Sequence, residues 1–383
     1  MQIDTGFEFD FLSELYELDA PGACLLAEYP SSNSDETIFQ NRSRYIIHDP
    51  FPPPERILMK VLGPHHLMCS WGNRIDVSSE IGPSQALLDH WQRFFGKDGC
   101  PAWEAFSGER DYITIFPHES FPAARQIIEP AMNYEIHSKE VIERIDCPQP
   151  EVLKEIAPPC IVKLSHGYAG LGNYFVRSRE DADAVGSEVR KHWPGAVLVA
   201  TEIIEEITRD VGVQFYLRST GEVIWLGYTQ QHFDQNVRWC GGSYSAATQI
   251  SILEEVRHIV EPVATHLHDR GYFGVVGIDI LRNANDEHFL VDVNPRLTGI
   301  TPFLIASRIF NRAGLSEGVY SASCRFDGKI EQLIADAESA GSDDLEVVVL
   351  SAVERDDGTT TCHLSANSNS QDRCLRTLDL LTS

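Results

Sequence analysis

Two short apolar runs in the second half of the chain constrain it most. Phe273-Gly274-Val275-Val276-Gly277-Ile278-Asp279-Ile280 and Phe289-Leu290-Val291-Asp292-Val293 both read as strands, and each carries one carboxylate among apolar neighbours. The polar stretch Asn283-Ala284-Asn285-Asp286-Glu287 turns the chain between them, so the two runs pair antiparallel. A buried carboxylate is costly without a partner. A divalent cation is one such partner, because Mg²⁺ takes carboxylate, amide and phosphate oxygens. Period two along the second strand puts Asp292, Asn294 and Arg296 on one face, two oxygen ligands followed by a cation. That order suits a metal-bridged triphosphate beside a guanidinium. A hairpin with solvent-facing Asp residues accounts for the same residues, and the strands alone do not decide between the two.

The rest of the chain sets bounds. A length of 383 residues exceeds one simple core, so two or three subdomains are expected. Apolar residues make up 43% and charged residues 23%, as in soluble globular proteins, and no apolar run reaches the length of a membrane span. The start, Met1-Gln2-Ile3-Asp4, lacks the pattern of a signal peptide, which points to a cytoplasmic protein. A formal net charge of -26 argues against nucleic acid and anionic membranes as partners. It still permits a phosphate ligand, since a few basic residues can gather in a cleft and a metal brings its own charge. Nine cysteines with no C-x-x-C spacing argue against a disulfide framework or a zinc site.

Residues 1–134 read as a front α/β domain. Ile57 to Leu62 and Tyr112 to Phe116 are strand-like, and Ser84 caps a helix to Phe95 with Leu87, Leu88, Trp91 and Phe94 on its apolar side. Residues 31–36 and 50–55 are loops. A β-rich unit follows over 135–205. It has a short helix after Ser138, strands at 160–164 and 196–200, and a helix from Glu180 to His192. Residues 206–383 form a larger sheet. Ser219-Thr220-Gly221-Glu222 turns one hairpin, Ile252 to His268 is an amphipathic helix, and Val347 to Val353 pairs with Thr359 to Leu364. Residues 365–373 read as a surface loop.

Three further segments carry candidate chemistry. After Lys163 comes Ser165-His166-Gly167-Tyr168-Ala169-Gly170-Leu171-Gly172-Asn173. Glycines at 167, 170 and 172 let backbone N–H groups approach phosphate oxygens, although neither a Walker A loop nor a dinucleotide fingerprint is present. An ordinary flexible hairpin fits the same stretch. Ala200-Thr201-Glu202-Ile203-Ile204-Glu205-Glu206 crosses between the two later units, where backbone groups can read an adenine edge, the isoleucines can wall it and Asp210 can reach a ribose hydroxyl. A solvated acidic corner is the plainer reading of Glu205 and Glu206. Residues 229–246 read as a movable loop because of Gly241-Gly242, with Arg238 placed to meet a substrate carboxylate or γ-phosphate and His232 to orient substrate. A surface arginine and a structural histidine are the alternatives.

In this order the pieces resemble the ATP-grasp family over about residues 135–310. The closest stretches are Gly271-Tyr272-Phe273-Gly274 leading to Asp279, and Phe289 through Arg296. They look like the metal-binding end of biotin-carboxylase-like and amino-acid-ligase-like members. The resemblance implies an α/β (α+β) ATP-grasp fold with a pre-ATP-grasp front domain, a small β-rich lid and a larger antiparallel-sheet subdomain. It implies that Lys139 and Lys163 bind α- and β-phosphates under a lid at Gly167, Gly170 and Gly172. Glu202, Ile203, Ile204 and Glu205 would surround adenine, and Asp210 would reach the ribose. Asp279, Asp292 and Asn294 would hold Mg²⁺, with Mn²⁺ as an alternative. Arg296 would stabilise the transferred phosphoryl group, with Arg238 beside the reaction. Both metal carboxylates are Asp where the family commonly has Glu. The implied activity is ATP-dependent ligation of a small-molecule carboxylate to an amine through an acyl phosphate. A small-molecule kinase or a nucleotide binder without turnover are the other readings. The family's frequent dimers allow a homodimer.

Overall fold

The computed structural model describes residues 2–32, 38–48, 62–72, 76–78, 82–96, 102–167, 172–235 and 238–382. The expected loop at 50–55, most of the one at 31–36, and residues 57–61 of the expected strand lie outside these. Leu62 does not end a strand; it opens the helix Leu62–Cys69.

At the front, four short strands pair in parallel in the order Trp103–Glu104, Asp76–Ser78, Cys24–Leu26, Tyr112–Thr114. Cys24–Leu26 and Tyr112–Thr114 are buried throughout, as strands of a covered parallel sheet must be. The helix at Gln85–Phe95 starts where its cap places it: the Ser84 side chain accepts the Leu87 N–H. Its Trp91 is fully buried and donates its indole N–H to the Val349 carbonyl at 2.8 Å, which ties the front layer to the C-terminal hairpin.

The second sheet is antiparallel, in the order Val152–Leu153, Leu198–Thr201, Cys160–Leu164, Asn173–Val176. Alternation along Cys160–Leu164 buries Cys160, Val162 and Leu164 in the same core as Ala182, Val185 and Val189 of the helix Arg179–His192. Ile161 and Lys163 are left on the opposite face. This unit has its own small core, separate from the others.

The third sheet has nine strands. Its path runs His288–Asn294, Gly274–Asn283, Ile207–Leu217, Val223–Phe233, Trp239–Ser245, Glu317–Phe326, Thr360–Ser368, Leu345–Glu354, with Ile3–Asp4 added in parallel beside Val223. One face of Ile207–Leu217 presents Val211, Val213, Phe215 and Leu217 to the helix Gln249–Asp269. The other face carries Asp210, Gly212 and Gln214, and that face holds the site.

Two expectations are corrected here. Residues 229–246 are mostly not a loop: Val223–Phe233 and Trp239–Ser245 pair antiparallel. The glycine that suggested mobility is there for close strand packing, since a Cβ on Gly241 would lie 1.9 Å from the Tyr320 carbonyl oxygen. Residues 365–373 are not a surface loop either. Ser365 to Ser368 are buried in the strand Thr360–Ser368, and the helix Gln371–Leu381 follows. Polar composition misled because this strand pairs on both edges and its polar side chains are bonded internally, Asn367 to Ser365 and Ser307 for example. Among the described residues no helix is long and apolar enough to cross a membrane, and eight described cysteines are free thiols.

Candidate active site

The predicted hairpin forms, and its register sets Asp279 directly opposite Asp292, with Gly277 opposite Asn294. Side chains of opposed residues share a face, so both carboxylates and the Asn294 amide stand on the open side of the large sheet. The Lys139 ammonium forms an ion pair with Asp292, and the Asn294 amide donates to the other Asp292 oxygen at 3.3 Å. Gln231 donates to Asp279 at 2.7 Å. Burial pushes Asp279 up to about 7, and the Asp292 charge adds to this. Burial pushes Asp292 the same way, but Lys139 and Lys163 outweigh it and hold the carboxyl below its ordinary value. The two acids are thus shifted in opposite directions.

Lys163 reaches across from the second sheet and donates to the Val291 carbonyl at 2.6 Å. Burial lowers its pKa, partly offset by Asp292. Both expected phosphate-binding lysines therefore stand at the Asp292 strand, Lys139 from the short helix Lys139–Arg144 and Lys163 from the second sheet. The glycine loop joins Cys160–Leu164 to Asn173–Val176 as a hairpin, as its sequence suggested. Its base is tied to the front domain: the His48 N–H donates to the His166 carbonyl, and the His166 ring stacks on Tyr134 at 3.8 Å. Gly167 lies at this base, bridged to His48. Gly172 has φ +89° and packs on Leu164. Gly170 lies outside the described residues.

The crossing 202–206 does connect the second and third sheets. Glu202 is clamped to Glu151, its N–H donating to the Glu151 carbonyl and its carboxylate accepting the Glu151 N–H. Ile203 and Ile204 are half-buried and Glu205 is exposed. Asp210 stands one pleat along from Gly212, the residue paired with Asp279. Burial pushes its carboxyl up to about 7, with Asp279 second.

Arg296 sits between the acidic pair and the front domain, its guanidinium 4.8 Å from the centre of the Phe116 ring. Arg238 does not join this group. Its side chain is 70% exposed and paired with Asp234 across the end of its own hairpin. His232, paired with Gly241 in the sheet, is kept neutral by burial.

Residues that the sequence reading did not single out also stand here. Gln231 binds Asp279; it was assigned to a loop, whereas period two from Thr229 would have put it on the strand face. Ile161 and Phe175 are opposed residues on the open face of the second sheet with Lys163, and Phe175 is 53% exposed. Counting back two residues from Lys163 would have found Ile161. The side chains of Tyr29 and Phe116 come from the front domain, where nothing in the sequence marked them.

The donor set fits a divalent cation. Asp279 stands opposite a second carboxylate and receives a neutral amide from Gln231, while the lysines favour Asp292, so its own charge is poorly compensated. Among the described residues no cluster of three or more His, Cys, Asp or Glu side chains is arranged to hold a metal. A cation would complete its shell with amide, water or phosphate oxygens, as Mg²⁺ commonly does.

Solved structures share this architecture. N5-carboxyaminoimidazole synthetase from Staphylococcus aureus, complexed with ADP, is 11% identical, with 86% of this chain and 94% of that chain covered at a TM-score of 0.54. N5-carboxyaminoimidazole ribonucleotide synthetase from Thermus thermophilus is 13% identical over 81% and 92% of the two chains, with a TM-score of 0.50. No curated protein sequence matches significantly. The shared architecture is the ATP-grasp fold, and the family match that follows is to an ATP-dependent carboxylate–amine ligase type that forms C–N bonds. Within that class, residues 139–294 match the family model described as L-aspartate–L-methionine ligase, ATP grasp. The matched segment begins at Lys139 and ends at Asn294.

Proposed function

We propose that this chain activates a small carboxylic acid with ATP and joins it to an amine. The observation that carries the reading is the meeting of Lys139, from the short helix Lys139–Arg144, and Lys163, from the second sheet, at the Asp279–Asp292 pair. Two ammonium groups beside two carboxylates suit a polyphosphate bridged to a metal, and Arg296 adds a guanidinium next to them. Asp279, Asp292 and Asn294 would hold Mg²⁺, which when bound neutralises phosphate charge.

A substrate carboxylate oxygen attacks the γ-phosphorus, and ADP leaves. The amine nitrogen then attacks the acyl carbon of the acyl phosphate, inorganic phosphate departs, and the nitrogen loses a proton. A carboxylate needs this activation because it is anionic and lacks a leaving group. Lys139, Lys163 and Arg296 offset the charge that moves, and positioning supplies most of the rest. Ile203, Ile204, Ile161 and Phe175 give apolar surface for a purine, and Asp210 offers a hydroxyl acceptor near the crossing. The family model names two amino acids as the joined pair, which supports small-molecule substrates. An acidic chain with free thiols suits the cytoplasm.

The test is turnover with MgATP and pairs of amino acids or other small acids and amines. Phosphate release that requires both partners, with an amide product by mass, is the expected result. ADP with a phosphorylated product and no free phosphate would make the chain a kinase. Asp292→Ala should abolish turnover, and full activity in that variant would remove the metal assignment.

A further inference from the structure

The second sheet has its own small core, so its contacts with the rest of the molecule decide where Lys163 stands. Much of that contact gathers at His166, two residues past the strand Cys160–Leu164. On one side its backbone meets the front domain. The His48 N–H donates to the His166 carbonyl at 3.2 Å, and the His166 N–H donates to His48 Nδ1 at 3.3 Å. His48 also packs edge-on against Trp193, which ends the helix Arg179–His192 of the second unit, 6.1 Å between centroids. On the other side the His166 ring lies flat on Tyr134, with 4° between the planes. Tyr134 belongs to the helix Pro130–Ile136, whose Ile136 is buried in the core beneath the large sheet. The Tyr134 hydroxyl donates in turn to the Ile46 carbonyl at 2.9 Å, two residues from His48.

The hydrogen positions follow from these partners. His166 Nε2 lies 3.0 Å from the Tyr134 carbonyl oxygen, which can only accept, so Nε2 carries the hydrogen and Nδ1 accepts from the Ser165 hydroxyl at 3.0 Å. His48 Nδ1 accepts from a backbone N–H, so its hydrogen is on Nε2. Both rings are thus neutral, as their burial favours. His48, Ser165 and His166 are all buried, which shields these bonds from competing water. The same junction reaches both lysines of the site. The Ser165 carbonyl accepts the backbone N–H of Lys139 at 2.7 Å, and Lys163, two residues before Ser165, bonds the Asp292 strand.

We propose that His166 is a positioning residue for MgATP, and that with His48 it latches the second sheet to the front domain at the stand-off from which Lys139 and Lys163 reach the phosphates. This rests on the nucleotide site of the function proposed above and adds to it residues that carry none of its charge. The junction is bonded on both sides, so a displacement of the front segment at His48 is carried to the lysines. His48 therefore takes part in nucleotide binding through them.

The test is calorimetric titration of the full chain with MgATP. The parent chain should bind, and His166→Ala should weaken binding at least about tenfold, since the charge-assisted contacts of two lysines are displaced. His166→Gln, which keeps a donor for the Tyr134 carbonyl, should recover part of the loss, and His48→Ala should weaken binding in the same direction. A residue that acts through Lys163 cannot act independently of it. The loss in His166→Ala combined with Lys163→Ala should therefore fall short of the product of the two single losses by at least about threefold. Losses that simply multiply would make His166 a structural residue only and overturn the proposal, as would parent affinity in His166→Ala or in His48→Ala. If His166→Ala does not fold, His48→Ala combined with Lys163→Ala supplies the same cycle. Absence of MgATP binding in the parent chain defeats the nucleotide reading itself, whereas binding by the parent with unaffected variants defeats this inference alone.

Discussion

Asp279 is the direct cross-strand partner of Asp292, so two carboxylates share one patch of sheet. Like charges placed so destabilise a sheet. The chain resolves this asymmetrically. Lys139 pairs with Asp292, whereas Asp279 receives a neutral amide from Gln231. A proton or a metal ion is therefore wanted at Asp279.

This gives a pH dependence whose sign is fixed. Asp279 and Asp210 are both pushed up to about 7, above their ordinary value of 3.8. A carboxyl with a raised folded-state pKa binds its proton better folded than unfolded. Stability is then lost as pH rises from about 4 through about 7. Asp279→Asn removes one of these groups, so without metal its melting temperature should exceed that of the parent chain by roughly 2–4 °C at pH 8. The gap should shrink toward pH 5, and Mg²⁺ should narrow it at pH 8 by stabilising the parent. Identical melting curves at pH 5 and pH 8 would remove the argument.

Lys163 donates to the backbone of the Asp292 strand from the opposite sheet. Its Nζ is replaceable there, because a carbonyl can turn to water, but the charge is not. Lys163→Ala should weaken MgATP binding at least about tenfold, roughly the 1.4 kcal/mol or more expected of a charge-assisted contact. Calorimetric titration with MgADP and MgATP measures this. An unchanged affinity would mean that the lysine only pins the two sheets together.

The readable parts of the sequence were those in which local pattern and local structure coincide. The Asp279 and Asp292 strands, the Ser219 turn, the Ser84 cap and the helix at Gln249–Asp269 all follow from periodicity, turn residues or capping within a dozen residues. The lysines were legible only as members of an ordered set, since nothing near Lys139 shows that it will pair with Asp292, 153 positions away. The surroundings of Arg296 were not legible at all. Phe116 and Tyr29 are ordinary core residues by pattern, and only the docking of the front sheet brings them to the guanidinium. Polar strands misread as loops, 229–233 and 365–368, share a cause: their neighbours in the sheet satisfy them, and those neighbours are distant in sequence.

Gly172 tests the hairpin of the glycine loop without touching a charge. Its φ of +89° disfavours any side chain, and a Cβ there would meet the Leu164 side chain at 2.8 Å. Gly172→Ala should cost about 1–3 kcal/mol of local strain. Because the second sheet has its own core, that strain should fall on the lid more than on the whole fold. Hydrogen exchange should quicken at Leu164 and Asn173 while the amides of Val213 and Phe215 stay protected. Uniform loss of protection would show that the sheets unfold together.

Asp19 offers the complementary test, of how the front domain is held to the large sheet. Its side chain is 1% exposed and accepts from Arg218 Nε at 2.7 Å, from the Ser219 N–H at 3.2 Å and from the Ser219 hydroxyl at 2.6 Å. Asp19 ends the first helix, and Arg218 and Ser219 open the hairpin turn that follows Ile207–Leu217. Without Asp19 the Arg218 guanidinium keeps only a longer contact to Glu222, at 3.8 Å, and the Ser219 donors lose their acceptor, so Asp19→Ala should cost about 3 kcal/mol in urea unfolding. Asp19→Ala combined with Arg218→Met should cost less than Asp19→Ala alone, because the poorly paired buried guanidinium is then gone and the one-third exposed Glu222 can turn to water. If the double variant is the less stable of the two, the pair contributes through packing of the arginine stem and not through its charge.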